Sequence, residues 1–264
     1  LREIPGVEPI AIPVRPSRLA ELETDGFQTA PDIPTAARQG AGAAVIATDT
    51  SRHLTDALAA IGVRMDVLVE KPLAPDAKQA RQLCQKAIEM HRKIYVGCVL
   101  RFSRSLNIFS RYMEQVGCLH SVSIESRSYL PEWRPSRDYK DSYSSRAGEG
   151  GVLRDLVHEI DYAGWLFGWP GSLHGRTHNL GSLGIQSEET AMLSWDTETG
   201  CIVSIGLDYL SRAARRGIVA HGSQGDIEWD GISGDVRLTL AGHTPKSFEG
   251  SQSLGEMFMA QDQE

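Results

Sequence analysis

The chain has 264 residues, a formal net charge of −7 and 41% hydrophobic residues. That length accommodates two domains, each with a core of its own. The acidic balance leaves no general basic surface for phosphates, which excludes nucleic acid as an expected partner. No run approaches the roughly 20 apolar residues of a membrane span, so no membrane partner is expected either.

The four cysteines, Cys84, Cys98, Cys118 and Cys201, lie far apart and form no CxxC pair. This spacing favours neither a disulfide framework nor a zinc knuckle, and it predicts reduced, mostly buried thiols in a cytoplasmic protein. The first residues lack both an initiator methionine and the charged-then-apolar layout of a signal peptide. We therefore expect the chain to begin inside a longer protein.

The first hundred residues alternate short apolar runs with helical patterns. Strands are predicted over residues 8–14, 43–47, 65–69 and 94–99, and helices over residues 51–61 and 74–91. The second of these helices has its apolar positions at Ala77, Ala80, Leu83, Cys84 and Ile88. This alternation predicts an α/β domain with a parallel sheet, which we expect to span residues 1–101.

Beyond residue 101 the pattern changes to longer runs with strand-like alternation. Strands are predicted over residues 118–129, 174–183, 189–195, 201–209, 217–221 and 225–229, with one helix at about 151–167. Short turn signals favour a mostly antiparallel open sheet with helices on one face, an α+β domain over residues 102–264. The tail from Thr244 to Glu264 is polar and is expected to be a loop or an edge.

Polar residues follow the strand predicted over residues 43–47. They are Thr48, Asp49, Thr50, Ser51, Arg52 and His53. In an open α/β sheet, ligands bind beyond the carboxyl ends of the strands, where the start of a helix offers amides to a ribose or a phosphate. Hydroxyl residues are also ordinary helix caps, so a purely structural role stays open.

The strand predicted over residues 65–69 is followed by Glu70-Lys71-Pro72. A lysine that leaves a buried strand is partly desolvated, and desolvation lowers the pKa of an amine toward the range in which it exchanges a proton with a substrate hydroxyl. The proline keeps Lys71 extended. The alternative is a surface lysine before a turn.

The segment from Gly150 to Tyr162 opens a predicted helix with two faces. Leu153, Leu156, Val157, Ile160, Gly164 and Phe167 would form the apolar face, and Asp155, His158, Tyr162 and Trp165 the opposite one. Asp155 and His158 are then helical neighbours, close enough for a carboxylate to orient an imidazole. An ordinary solvated face is the alternative.

Three segments together resemble a known family. VEKPLA at residues 69–74, GCVLRF at 97–102 and GGVLRDLVHEIDYAGWLFG at 150–168 are similar, in order and spacing, to the glucose-fructose oxidoreductase and inositol dehydrogenase (Gfo/Idh/MocA) family. The likeness covers nearly the whole chain. It implies a Rossmann domain that binds NAD(H) or NADP(H), and a second domain whose open sheet makes oligomer contacts, here in a homodimer or homotetramer.

The resemblance also implies roles for individual residues. Lys71, Asp155 and His158 are the expected catalytic residues, with His158 helping to move the hydroxyl proton. The expected cofactor-binding residues are Arg15, Arg18, Thr48, Asp49, Thr50, His53, Glu70, Lys71, Pro72 and Arg101. Arg15 stands where the family has an acidic ribose-binding residue, which favours NADP(H) because an arginine can meet the extra phosphate.

Residues 129–145 are most similar to family members from bacterial surface-sugar biosynthesis, which act on sugars or nucleotide sugars. Their Trp133, Arg134, Arg137, Tyr139 and Tyr143 offer aromatic faces and charged donors suited to sugar hydroxyls or a phosphate. With Asp155 and His158, Trp133, Arg137, Tyr139 and Tyr143 make up the predicted substrate-binding set. A structural loop over the sheet is the alternative.

Besides Arg15, the chain departs from the family pattern in two places. The family opens with a strand and a GxGxxG-type turn, which nothing before Glu8 supplies, so the first strand and the pyrophosphate-binding glycine loop are expected to be missing. Asp155 and His158 are three residues apart, whereas many members have four. Either spacing keeps the two side chains on one helical face.

Taken together, the residues predict an NAD(P)-dependent dehydrogenase or reductase. It would transfer a hydride between the nicotinamide and a hydroxyl carbon of a sugar, nucleotide sugar or polyol bound between the domains, with the proton passing to His158 or Lys71. A catalytically inactive regulatory or assembly protein is the alternative. No metal is expected, because neither His158 with Asp161 nor His174 with His178 belongs to an HExxH-like ligand set.

Overall fold

A computed structural model of the protein describes residues 1–263, which divide into two compact units. The first unit comprises Leu1–Cys98 with residues 261–263, and the second comprises Val99–Ala260. Each has its own cluster of buried apolar side chains. The assignment of cofactor binding to residues 1–101 and of substrate binding to residues 102–264 stays a prediction. Within residues 1–263, no helix is both long and apolar enough to cross a membrane.

The first unit is built from short parallel strands and four helices. The strands are β1 Ile10–Ala11, β2 Gln28–Thr29, β3 Ala43–Ile46, β4 Asp66–Glu70 and β5 Ile94–Gly97. The helices are α1 Leu19–Thr24, α2 Ile33–Arg38, α3 Thr50–Gly62 and α4 Ala77–Met90. β1 pairs with β2, and a separate sheet has the order β3-β4-β5. The predicted parallel sheet is thus confirmed for β3, β4 and β5.

Two predictions for the first unit are wrong in detail. The strand predicted over residues 8–14 is reduced to Ile10–Ala11, since Pro13 cannot donate to a strand ladder. On α4 the buried stripe is centred on Leu83 and Ala87, so Cys84 and Ile88 lie outside it and are exposed. Cys118 is exposed as well, which contradicts the expectation of mostly buried thiols.

The second unit is one sheet with helices packed on it. Its strands are β6 Leu119–Tyr129, β7 His174–His178, β8 Thr190–Asp196, β9 Ile202–Asp208, β10 Leu210–Gly222, β11 Gly225–Asp230, β12 Asp235–Leu240 and β13 Lys246–Glu249. Its helices are α5 Arg104–Met113, α6 Val152–Asp155, α7 Val157–Phe167 and α8 Leu254–Gln263. The strand order is β13-β12-β11-β10-β6-β9-β8-β7. Within this eight-stranded sheet, as far as the structure describes it, only β6 and β9 pair in parallel, which confirms a mostly antiparallel sheet.

The helix predicted over residues 151–167 is broken. Leu156, with φ −100° and ψ 32°, separates α6 from α7. The alternative of an ordinary solvated face does not hold for Asp155 and Tyr162, which are 4% and 0% exposed. Tyr162 packs edge-on against Trp229 on β11, with the ring centroids 5.6 Å apart. Tertiary packing therefore buries side chains that the helical period assigned to the face opposite the apolar one.

Two further differences lie near the ends of predicted strands. β7 stops at His178, five residues before the predicted end at Leu183, because the buried Glu189 carboxylate accepts the amides of Leu180, Ser182 and Leu183 and turns the chain. The tail expected as a loop or an edge contains β13, which is an edge strand of the sheet, and α8.

Candidate active site

The carboxyl ends of β3 and β4 lie side by side in the first unit, since the strands are parallel and pair from Ala43 with Asp66 to Ile46 with Val69. The segments that follow, 48–50 and 70–72, therefore reach the same edge of the sheet. His53 joins them. Its Nε2 lies 2.9 Å from the carbonyl oxygen of Thr48, and its Nδ1 lies 2.9 Å from that of Pro72. His53 is 1% exposed, and its two contacts link the segments that follow β3 and β4.

The first turn of α3 lies at this edge of the sheet. Asp49 precedes the first turn, is exposed, and makes no side-chain capping hydrogen bond. The Thr48 hydroxyl donates to Asp56 Oδ2 at 2.9 Å, and Thr50 is buried. An α-helix start carries partial positive charge and amides suited to a ribose-phosphate or a carboxamide. These residues fit part of a nicotinamide dinucleotide.

Glu70, Lys71 and Pro72 follow β4 at the same edge. Lys71 is half-buried, and the peptide bond between Lys71 and Pro72 is cis. Glu70 Oε2 accepts a hydrogen bond from the Lys71 amide at 3.3 Å. A Cβ on Gly97, the last residue of β5, would lie 3.2 Å from the Glu70 carboxylate. Glycine at that position therefore leaves room for Glu70 beside the lysine.

A buried acid cluster lies in the second unit. Asp155, the last residue of α6, is 4% exposed and accepts a 2.6 Å hydrogen bond from the hydroxyl of Tyr209. Burial, followed by the nearby Asp155 carboxylate, raises the pKa of Tyr143 to about 12. The same two causes raise the pKa of Tyr209 well above its usual value. Both phenols therefore stay protonated and can donate to the carboxylate.

His158 lies in the first turn of α7 and is half-buried. Two ion pairs hold the helix that carries it. Fully buried Glu159 accepts from Arg216 Nε of β10 at 2.8 Å, and Asp161 accepts from both Nε and Nη2 of Arg101 at 2.8 and 2.7 Å. Arg101, predicted to bind cofactor, is thus engaged within the second unit.

The segment at residues 129–145 lies next to the acid cluster. The Trp133 ring packs edge-on against Tyr209, with the centroids 5.3 Å apart, and its Nε1 donates to Ser128 Oγ. Tyr139 donates its hydroxyl to the carbonyl oxygen of Leu183 at 3.0 Å, while Arg137 is exposed. A small, solvent-open cavity of about 20 Å³ is lined by Leu130, Trp133, Arg134, Arg137, Asp138, Tyr139, Ser142 and Ser144.

The structure brings together some predicted residues and leaves others apart. Thr48, Asp49 and Thr50 meet Glu70, Lys71 and Pro72 at one sheet edge, and Tyr143 lies at Asp155. Arg15 and Arg18 are exposed at the short turn before α1, where Arg18 Nε lies 3.4 Å from Glu21. Within residues 1–263, no three His, Cys, Asp or Glu side chains are grouped to hold a metal.

Sequence reasoning missed Tyr209, Glu159 and Arg216. Tyr209 ends a strand-like run, and no spacing marks its hydroxyl as a partner of Asp155. Glu159 follows His158 directly, but the helical period placed it outside the core. The same helix also carries Asp161, and no spacing in the sequence distinguishes the buried carboxylate from the other one.

Comparison with known proteins identifies the class. Residues 15–98 match an oxidoreductase family with an NAD-binding Rossmann fold, and residues 114–228 match the GFO/IDH/MocA C-terminal domain. The fold and these matches define an NAD-binding oxidoreductase. The chain belongs to the GFO/IDH/MocA family, which confirms the predicted resemblance. A search of curated proteins found no match.

Solved structures with the same fold include three complexes. Levoglucosan dehydrogenase with NADH and levoglucosan has a TM-score of 0.84 at 17% identity, covering 97% of this chain and 78% of that one. An oxidoreductase from Agrobacterium radiobacter with NAD+, L-tartaric acid and magnesium has a TM-score of 0.84 at 17% identity, covering 96% and 78%. The WlbA dehydrogenase from Bordetella pertussis with NADH and UDP-GlcNAcA has a TM-score of 0.78 at 20% identity, covering 89% and 72%.

Proposed function

We propose that the protein is a dehydrogenase or reductase that uses a nicotinamide cofactor to interconvert a hydroxyl and a carbonyl on a sugar, nucleotide sugar or polyol. The observation that carries the proposal is the buried carboxylate of Asp155, which accepts a hydrogen bond from the Tyr209 phenol. Asp155 ends α6, just before α7, the helix that bears His158. The complexes of similar fold with levoglucosan and with UDP-GlcNAcA support a polyhydroxylated substrate.

The oxidised cofactor, when bound, supplies the hydride acceptor. As the substrate carbon gives up its hydride, the hydroxyl loses its proton to the His158 imidazole or the Lys71 amine, and the C–OH group becomes C=O. Asp155 stabilises the positive charge that then forms on His158. The reverse direction returns the same proton to the carbonyl oxygen.

Cofactor binding is assigned to the sheet edge of the first unit. Thr48, Asp49, Thr50, Glu70, Lys71 and Pro72 would contact the dinucleotide, while His53 holds their backbone in place. Exposed Arg15 would meet the extra phosphate of NADP(H), which favours that cofactor over NAD(H). Roles for Arg18 and Arg101, assembly through the second unit's sheet and a cytoplasmic location stay predictions.

Substrate contacts are assigned to the segment beside the acid cluster. Trp133 and Arg137, at the cavity lined by residues 130–144, would meet sugar hydroxyls or a phosphate. Tyr139, whose hydroxyl lies at Leu183, would shape that cavity, and Tyr143 would act from the neighbouring acid cluster, because its hydroxyl lies at Asp155.

The test combines cofactor titration with turnover. NADH and NADPH fluorescence titrations, followed by absorbance assays with NAD+ or NADP+ and a panel of sugars, polyols and nucleotide sugars, should show binding and reduction. His158→Asn should bind cofactor with unchanged affinity and lose turnover. Binding without turnover on every substrate would overturn the proposal in favour of a regulatory protein.

A further inference from the structure

We propose that Tyr209 is a positioning residue, whose hydroxyl holds the Asp155 carboxylate in the orientation from which it acts on His158. The inference rests on the proposed function, in which Asp155 and His158 handle the substrate proton. Tyr209 itself need not touch the substrate or the cofactor.

The backbone of Tyr209 is fixed on both sides. Its amide donates to the carbonyl oxygen of Glu189, and its own carbonyl oxygen accepts from the amide of Leu130. Its side chain is 0% exposed, and Trp133 packs against the ring. The hydroxyl therefore has a defined position before any ligand binds, which is what a positioning role requires.

The hydrogen bond to Asp155 has the geometry of a strong interaction. At 2.6 Å, it lies in the range of O–H···O⁻ bonds, which are shorter and stronger than those between neutral groups. A carboxylate that is 4% exposed has little water to solvate it, so donors from the protein must do so. Tyr209 is such a donor. It lies between β9 and β10 of the sheet, whereas Asp155 lies on α6.

Other charged and titratable groups surround the pair. Tyr143, in the segment at residues 143–145, lies close to Asp155. The positive charge of Arg134 partly opposes the increase in the pKa of Tyr143. Glu188, ahead of β8, interacts with Tyr209 and accepts the amide of Leu153 through Oε1 at 3.3 Å. His158 follows on α7. Glu188 is thus a second carboxylate that acts on the Tyr209 phenol.

Tyr209→Phe removes only this hydroxyl. Because a hydrogen bond to a charged group contributes about 1.5–3 kcal/mol, we expect kcat to fall about 10- to 100-fold. The KM for substrate and the Kd for cofactor should stay within about twofold. Tyr162→Phe is the matched control, since Tyr162 is also 0% exposed and its hydroxyl has no hydrogen-bond partner among the described residues. It should leave kcat unchanged.

The double variant Asp155→Asn with Tyr209→Phe separates positioning from general packing. With the carboxylate removed, loss of the hydroxyl should cost almost no further turnover, whereas a structural role would give the same loss in both backgrounds. This variant also avoids an uncompensated buried charge, so it keeps the test available if Tyr209→Phe alone does not fold.

The outcomes distinguish this inference from the proposed function. If Asp155→Asn lowers turnover while Tyr209→Phe matches Tyr162→Phe, the positioning role is overturned and the proposed function stands. If Asp155→Asn leaves turnover unchanged, the roles of Asp155 and Tyr209 are both overturned, whereas only the absence of turnover in the unaltered protein overturns the proposed function. A selective fall in kcat that vanishes in the Asp155→Asn background supports both.

Discussion

The two candidate regions, one in each unit, are built in different ways. At the sheet edge of the first unit, Lys71 is half-buried and Asp49 is exposed. Both follow strands whose ends are linked by His53, through its contacts with two backbone carbonyl oxygens. In the second unit, Asp155, Glu159 and Tyr209 are 4%, 0% and 0% exposed, and each is held by a specific side-chain partner. In the first unit, the side chains proposed to act on ligands contribute little to the stability of the fold. In the second unit, the buried side chains matter for both, because a buried charge that loses its partner destabilises the fold.

Lys71→Ala is the strongest test of that contrast. We expect turnover to fall about 10²- to 10⁴-fold, the contribution of a general acid-base group, with a much smaller loss of cofactor affinity and little change in melting temperature. Steady-state kinetics, fluorescence titration and thermal melting measure the three quantities. Lys78→Ala, an exposed lysine on α4, is the control. Unchanged turnover would remove Lys71 from the mechanism.

The ion pair between Glu159 and Arg216 tests the other side of the contrast. Arg216→Met leaves the fully buried carboxylate without this arginine and should lower the free energy of unfolding by about 3 kcal/mol. Glu159→Gln should cost less, because the Arg216 side chain is 27% exposed and keeps contact with water. Guanidinium titrations measure both variants.

An exposed pair provides the reference for that experiment. Arg212 and Glu132 are 71% and 65% exposed and lie 3.8 Å apart, so Arg212→Met should change the free energy of unfolding by less than about 1 kcal/mol. Equal losses in the Arg216 and Arg212 variants would show that burial does not distinguish the two pairs.

Arg15→Ala tests the cofactor preference assigned to the first unit. Loss of a charge-assisted contact should weaken NADPH binding about tenfold and leave NADH binding unchanged, as measured by fluorescence titration. Arg38→Ala, at another exposed arginine of the same unit, should alter neither affinity. A parallel loss for both cofactors would contradict contact with the extra phosphate.

Tyr143 gives the smallest expected effect and a pH dependence. Its phenol ionises near pH 10 in the unfolded chain and at about 12 in the folded protein, so its stabilising contribution is complete below pH 10 and is lost as pH rises toward 12. Tyr143→Phe should flatten this alkaline loss in denaturant titrations between pH 9 and about 11.5. The exposed Tyr95→Phe is the control, and an unchanged slope in Tyr143→Phe would contradict the assigned burial.

The sequence by itself determined the features that depend on short stretches of chain. The period of apolar residues identified β3, β4, β5 and most strands of the second unit, and the segments at 69–74, 97–102 and 150–168 identified the family. It also indicated that residues 48–50 and 70–72 share a sheet edge, because parallel strands must end on the same side.

Only the tertiary structure determined which polar side chains are buried and which residues they pair with. Asp155 turns inward because the helix breaks at Leu156, and its partner Tyr209 lies 54 residues further along the chain. Glu159 pairs with an arginine 57 residues away, and His53 is occupied by two backbone carbonyls. A local pattern carries no information on such partners, since each contact forms only when distant segments pack together and exclude water.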